Sequence, residues 1–193
     1  MPWHSVARTA GLRSAAPAAC DALASAFDSA WQKPRPRSDR ASTMPHKIPE
    51  SVLVVIYTPS LEVLLLERAD HPGFWQSVTG SRATADEPLA ETCSREVREE
   101  TGYVAAPEAF EDWQQVNRYA IYPHWRHRFA PGVTHNTEHV FGLAVAAPFV
   151  PKLAPREHVH YRWLAWRAAA DACFSWTNAQ AIRLLPVRAG RAA

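Results

Sequence analysis

Cysteine is scarce in this chain. Its 193 residues hold three, Cys20, Cys93 and Cys173, an odd number at scattered positions with no C-x-x-C pair. That argues against a disulfide framework or a zinc site and makes a reducing cytoplasm the expected compartment. Long apolar runs are missing too. Nothing approaches the roughly 18 consecutive apolar residues of a membrane span, so no membrane partner is expected. Charge of one sign is also absent. Lys and Arg number 21 against 19 Asp and Glu, a net charge of +2, which gives no reason to expect a nucleic-acid partner. No internal repeat is visible. The length suffices for one well-packed domain with some surplus.

The surplus sits at the start. Residues 1–43 are rich in Ala, Ser, Arg and Pro, with six basic residues against three acidic, and Lys33-Pro-Arg-Pro-Arg-Ser-Asp-Arg40 reads as extended and solvated. The Arg- and Ser-rich composition faintly resembles a transit peptide, whereas Asp21 and Asp28 interrupt any secretory apolar region. These residues are expected to be a disordered extension, or a misassigned start ahead of Met44, with the folded domain at 44–193.

From Ser51 onward the pattern alternates strands and helices. Val52–Tyr57 is a β-branched apolar run, and Val63–Leu66 returns after a Thr58-Pro-Ser60 turn. Phe74–Thr79 is expected as one short strand, followed by strands over Asp112–Ile121, His139–Val145 and His160–Trp166. Helices are expected over Ala168–Cys173 and Ala179–Leu185. The eight tryptophans serve as core unless they line a pocket.

Between Gly80 and Tyr103 the residues carry chemistry. Arg95-Glu-Val-Arg-Glu-Glu-Thr-Gly102 read as a helix puts Glu96, Glu99 and Glu100 at i, i+3 and i+4, three carboxylates on one face. Such crowding destabilises a bare helix by a few tenths of a kcal/mol per pair. A hard divalent cation would relieve it, and Mg²⁺ prefers carboxylate oxygens alongside substrate phosphates. Leu89, Cys93 and Val97 form the opposite, apolar stripe. Pro88 suits the first helical turn and Gly102 a left-handed end. Glu87 and Arg95 can pair across the loop-to-helix join, or form only a surface ion pair.

The spacing resembles the Nudix box, G-x5-E-x7-R-E-U-x-E-E-x-G-U with U a bulky aliphatic residue, the signature of metal-dependent diphosphatases. Glu87, Arg95, Glu96, Val97, Glu99, Glu100 and Gly102 match. Ser81 stands where the opening glycine belongs, with Gly80 just before it, and Tyr103 replaces the last aliphatic residue. The resemblance implies an α/β/α sandwich around a mixed sheet and a hydrolase in which Glu96, Glu99 and Glu100 are catalytic. It implies Mg²⁺, with Mn²⁺ also possible, held by the Gly80 carbonyl, Glu96, Glu99, Glu100 and a fourth carboxylate. Glu157 is the choice for that place and Glu138 the runner-up. The general base stays open among the carboxylates and His127, His135 and His158.

Three further stretches narrow the resemblance. They are Phe74–Ser81, then His127-Arg-Phe-Ala-Pro-Gly-Val-Thr-His-Asn-Thr-Glu138, then Glu157–Leu164 with Phe174–Asn178. Together they resemble the family's pterin-triphosphate branch, over roughly Met44 to Leu185. The implied partner is a small molecule, dihydroneopterin triphosphate on the route to folate. Lys47 and Arg68 would meet phosphate, with Thr79 near the loop. Tyr119, Ala120, Ile121 and Tyr122 match the substrate-contacting segment, and Ser175 a substrate-side serine that could equally cap a helix. Two alternatives remain: a Nudix diphosphatase acting on nucleoside triphosphates or dinucleoside polyphosphates, and a non-catalytic binding module, against which the intact glutamates argue.

Overall fold

A computed structural model describes residues 46–190, within a compact unit spanning Thr43–Ala193. The extension expected over residues 1–43 lies outside the described residues. Seven strands form one mixed sheet: β1 (Glu50–Tyr57), β2 (Glu62–Arg68), β3 (Trp75–Gln76), β4 (Val78–Ser81), β5 (Phe110–Ala120), β6 (His135–Ala144) and β7 (His158–Ala165). The central path runs β3-β2-β1-β6-β5, with β4 paired to β1 and β7 to β2. Among the described strand pairs β1 and β6 alone run parallel, along the whole length of β1.

Strand alternation assigns each face of β1 to a different helix layer. Val52, Val54 and Ile56 pack with Cys93 and Val97 of helix α1 (Leu89–Thr101). Leu53, Val55 and Tyr57 face the other way, toward α2 (Trp166–Ala172) and α3 (Trp176–Arg188), where Ala169, Ala170, Ala181, Ile182 and Leu185 are buried. The result is the expected α/β/α sandwich. Among the described residues, no helix is long and apolar enough to cross a membrane.

Two local departures from the sequence reading position the site. The run Phe74–Thr79 is not one strand. Ser77 breaks it, because its backbone N–H donates to Asn178 Oδ1 at 2.7 Å while Asn178 Nδ2 donates back to Ser77 Oγ at 2.9 Å. Before the break β3 pairs with β2, and after it β4 pairs with β1, which carries Gly80 onto the α1 side. Strand β6 begins earlier than expected, at His135, so the Asn136-Thr-Glu138 run lies within the sheet. The helices also start earlier than their apolar patterns suggested, α2 at Trp166 and α3 at Trp176. Pro88 sits at the N-cap rather than within the first turn, and Gly102 ends α1 in the left-handed region (φ 72°), its N–H bonded to Arg98 O.

Candidate active site

Helix periodicity and one glycine set the acidic site. Cys93 and Val97 pull one face of α1 into the core, which turns Glu96 and Glu100 toward β4 and leaves Glu99 outward, 54% exposed and 3.6 Å from Arg95. Glu96 lies directly over Gly80. A Cβ on residue 80 would fall 1.8 Å from the Glu96 carboxyl carbon, so only glycine leaves room for that carboxylate. Burial pushes the Glu96 pKa up to about 7, against the pull of Arg95 and with help from Glu100 and Glu99. Arg95 Nη1 donates to its Oε1 at 2.7 Å.

Glu100 is 2% exposed. His158 Nε2 meets its Oε2 at 3.0 Å, and the Thr79 backbone also hydrogen-bonds to it. Burial raises its pKa; His158 opposes the rise and Glu157 adds to it. Glu157 is exposed at the head of β7, and its carbonyl accepts the Ala69 N–H at 2.8 Å. Ligand atoms of Glu100, Glu157 and His158 all lie within 4.8 Å of one another. Carboxylates whose ionisation is opposed first by burial and then by one another are a donor set that a hard divalent cation satisfies. The residues fit the ion that the motif implies.

A rigid frame holds this face. Arg95 Nε and Nη2 grip Glu87 Oε1 and Oε2 at 2.9 and 3.2 Å, and Nη2 also donates to Ser81 O at 2.9 Å. Ser81 therefore contributes its backbone, which its side chain does not alter. Arg95 holds the Glu87 pKa down to about 2. Arg82 adds a second tie, from its Nε to Glu87 O at 2.8 Å and from its Nη1 to Glu50. Tyr103, beyond the helix, stacks on Phe149 with ring centroids 4.7 Å apart.

The structure distributes the sequence-predicted substrate residues over three neighbourhoods. Lys47 feels the charges of Glu96, Glu157 and Glu100. Its pKa is lowered, first by the surrounding protein and then by Arg128, although the side chain still reaches solvent. Arg68 is clamped on Asp70 at 2.9 and 2.8 Å and lies over Trp125 at 5.1 Å. Burial works to raise the Asp70 pKa, but Arg68 and His71 together hold it at about 2. Tyr122 belongs to the same aromatic cluster, edge-on to Trp125 at 5.5 Å. Thr79 Oγ1 accepts from Gln76 Nε2 at 3.3 Å. Ala120 is exposed and Ile121 buried, its N–H donated to Thr134 O at 2.8 Å. Tyr119 and Ser175 lie on the α3 side. The Tyr119 hydroxyl is 3.1 Å from Asn136 Nδ2, and Ser175 Oγ is 2.8 Å from Thr177 Oγ1. Ser175 occupies the N-cap of α3, but its side chain makes no cap bond.

Sequence reasoning undervalued His158 and Trp125. His158 directly follows Glu157, and its place beside Glu100 depends on a register no local pattern reveals. Of the other histidines weighed as bases, His127 is exposed and His135 Nδ1 pairs with Thr134 Oγ1 at 2.9 Å. Glu138, the runner-up as fourth carboxylate, is not in the Glu100 group. Its partner is Asn117, whose Nδ2 donates at 3.1 Å.

With this geometry in place, comparison with known proteins is decisive. The NUDIX domain model matches residues 47–185. The chain belongs to the Nudix family. It is 44% identical over 147 residues to the dihydroneopterin triphosphate diphosphatase of Escherichia coli K12, covering 75% of this chain and 96% of that protein. It is 39% identical over 143 residues to the Haemophilus influenzae protein of the same name, covering 72% and 89%. The solved structure of the E. coli dihydroneopterin triphosphate pyrophosphohydrolase superposes with a TM-score of 0.68 at 41% identity, over 75% of this chain and 99% of that one. In a Nudix protein the Glu87–Arg95 brace and the α1 glutamates are the box itself.

Proposed function

We propose that this Nudix protein is a pyrophosphohydrolase that cuts dihydroneopterin triphosphate to dihydroneopterin monophosphate and pyrophosphate, with Mg²⁺ as its ion and Mn²⁺ able to substitute. The observation that carries the reading is identity of 44% across nearly the full length of a curated dihydroneopterin triphosphate diphosphatase. The acidic site agrees with it. In this reading Glu96, Glu100 and Glu157 hold the ion together with the Gly80 carbonyl, supported by the grouping of Glu100 and Glu157, while Glu99 faces solvent. A divalent cation there would neutralise phosphate charge and lower the pKa of the attacking water. In the same reading Lys47, within electrostatic reach of the three carboxylates, meets the phosphate chain, and Arg68 meets it after loosening from Asp70. His158 and the Thr79 backbone hold the Glu100 carboxylate in orientation by their hydrogen bonds.

The test is product analysis. Purified protein with Mg²⁺ is given dihydroneopterin triphosphate, GTP and ATP separately, and pyrophosphate and monophosphate are quantified. The reading expects pyrophosphate release with kcat/KM highest for the pterin. Higher kcat/KM on a common nucleoside triphosphate would replace it with the broader nucleotide diphosphatase.

A further inference from the structure

Strands β5 and β6 build a polar patch inside the α3 side of the sheet, remote in role from the acidic helix. Asn136 and Glu138 are two apart on β6, so they share a face; Asn117 and Tyr119 do so on β5. Register sets Asn117 opposite Glu138 and Tyr119 opposite Asn136, and Ser51 of β1 sits on the other side of Glu138. Thr177, in the first turn of α3, closes over them and hydrogen-bonds to Glu138.

Two features of the patch exceed what tying these strands to α3 requires. Glu138 is 4% exposed, and among the described residues its hydrogen-bond partners are an amide and two hydroxyls, from Asn117, Thr177 and Tyr119. A carboxylate buried without a cation is expensive, several kcal/mol in a protein interior. A glutamine would tie the same elements together at far lower cost. The second feature is the Asn136 carboxamide. One end serves both Ser51 Oγ at 2.7 Å and the Tyr119 hydroxyl at 3.1 Å, while Oδ1 is buried without a partner. Whichever way that amide is assigned, one end is unmet. A buried carboxyl group beside an unsatisfied carboxamide is complementary to a ligand edge with two adjacent N–H donors and a neighbouring carbonyl.

We propose that Glu138, with Asn136 beside it and the Tyr119 and Thr177 hydroxyls as its movable cover, is the site that reads a 2-amino-4-oxo pyrimidine edge, the face shared by pterins and guanine. The ring N–H and the 2-amino group donate to the two Glu138 oxygens, a bidentate charge-assisted pair, and the Asn136 carboxamide turns its N–H end to the 4-oxo group. The two hydroxyls are rotors that yield their places without leaving a buried group unpaired. The half-buried Tyr119 and Ser175 flank the way in. Burial raises the Glu138 pKa, so the arriving donors also favour its ionisation. Glu138 on β6 is next to Ser51 on β1, which is next to Ser81 on β4 beside Gly80. Glu138 lies on the α3 face of the sheet and Gly80 under Glu96 on the α1 face, so a ligand held at both passes around the end of the sheet where β1 begins. The inference rests on the pterin reading above for its preferred ligand, but not for its chemistry.

The experiment compares wild type with Glu138→Gln, which replaces one acceptor by a donor at constant size. Two readouts are taken: kcat/KM for dihydroneopterin triphosphate, GTP and ATP, and inhibition by neopterin against its 2-oxo analogue, which lacks the amino donor. Wild type is expected to bind neopterin at least about 100-fold more tightly than the analogue, as buried polar sites reject ligands that leave them unpaired. In Glu138→Gln that ratio, and the preference for dihydroneopterin triphosphate over ATP, should each fall by at least about 100-fold. Equal inhibition of wild type by neopterin and its analogue overturns the inference with no variant needed, even if Glu138→Gln fails to fold. A Glu138→Gln protein that folds and slows on all three triphosphates by the same factor overturns it too, while leaving the pterin function standing. A wild type that prefers GTP, still discriminates against the 2-oxo analogue and loses that discrimination in Glu138→Gln supports the edge site and refutes the pterin function instead.

Discussion

Replacing Gly80 with alanine tests the acidic site without removing any of its chemical groups. The added methyl would lie 1.8 Å from the Glu96 carboxyl carbon, where ordinary contact begins at 3.4 Å, so the carboxyl must withdraw by about 1.6 Å. Misplacing a reacting constellation by about 1 Å costs on the order of 100-fold in rate, about 2.7 kcal/mol of barrier. Gly80→Ala is therefore expected to lose at least that factor in kcat and to weaken Mn²⁺ binding, measured separately by the free-ion EPR signal. Stability should hardly fall. Glu96 is the flexible far end of a side chain and can swing toward solvent, and exchanging a strand glycine for alanine reduces the entropy of the unfolded chain by about 0.4–1 kcal/mol equivalent. Loss of activity with an unchanged melting temperature is the signature. A Gly80→Ala enzyme with wild-type kcat and wild-type Mn²⁺ affinity would show that Glu96 has no fixed place in the site, and the argument built on that contact would fall.

Three other outcomes follow from the same geometry. Glu100→Gln keeps shape and removes a charge beside His158, and steady-state kinetics should show at least about a hundredfold loss, about 2.7 kcal/mol; near-normal turnover would remove Glu100 from the machinery. Glu96 has a folded pKa of about 7 against an ordinary value of 4.5, so the folded ion-free protein binds more protons than the unfolded chain between them. Its contribution to stability then falls as pH rises from about 4.5 to about 7, and the Mg²⁺-induced rise in Tm should be larger at pH 8 than at pH 5; a shift independent of pH would contradict this. Arg95→Lys keeps the charge but cannot hold both Glu87 oxygens and Ser81 O at once, so urea unfolding should show a loss of about 1–2 kcal/mol, and an unchanged midpoint would mean that the brace carries no stability.

Local periodicity was enough to find α1, its buried stripe and the left-handed close at Gly102, because each depends on residues within a few positions; it grouped Glu96, Glu99 and Glu100 on one face, whereas Glu99 turns outward beside Arg95. The motif spacing similarly pointed to the Glu87–Arg95 brace. Partners brought together by strand register were beyond that reach. Whether Glu157 or Glu138 stands near Glu100 depends on which face of the sheet each occupies: β7 delivers Glu157 and His158 to α1, whereas β6 turns Glu138 toward α3. The break at Ser77 is made by Asn178, 101 residues away, and no strand propensity anticipates it. Tyr119 is matched from sequence to a substrate-contacting segment, but that its hydroxyl is engaged by Asn136 and Glu138 depends on the β5–β6 register. Side-chain period determines what a strand or helix shows to each side; only packing of the sheet between its two helix layers decides what waits there.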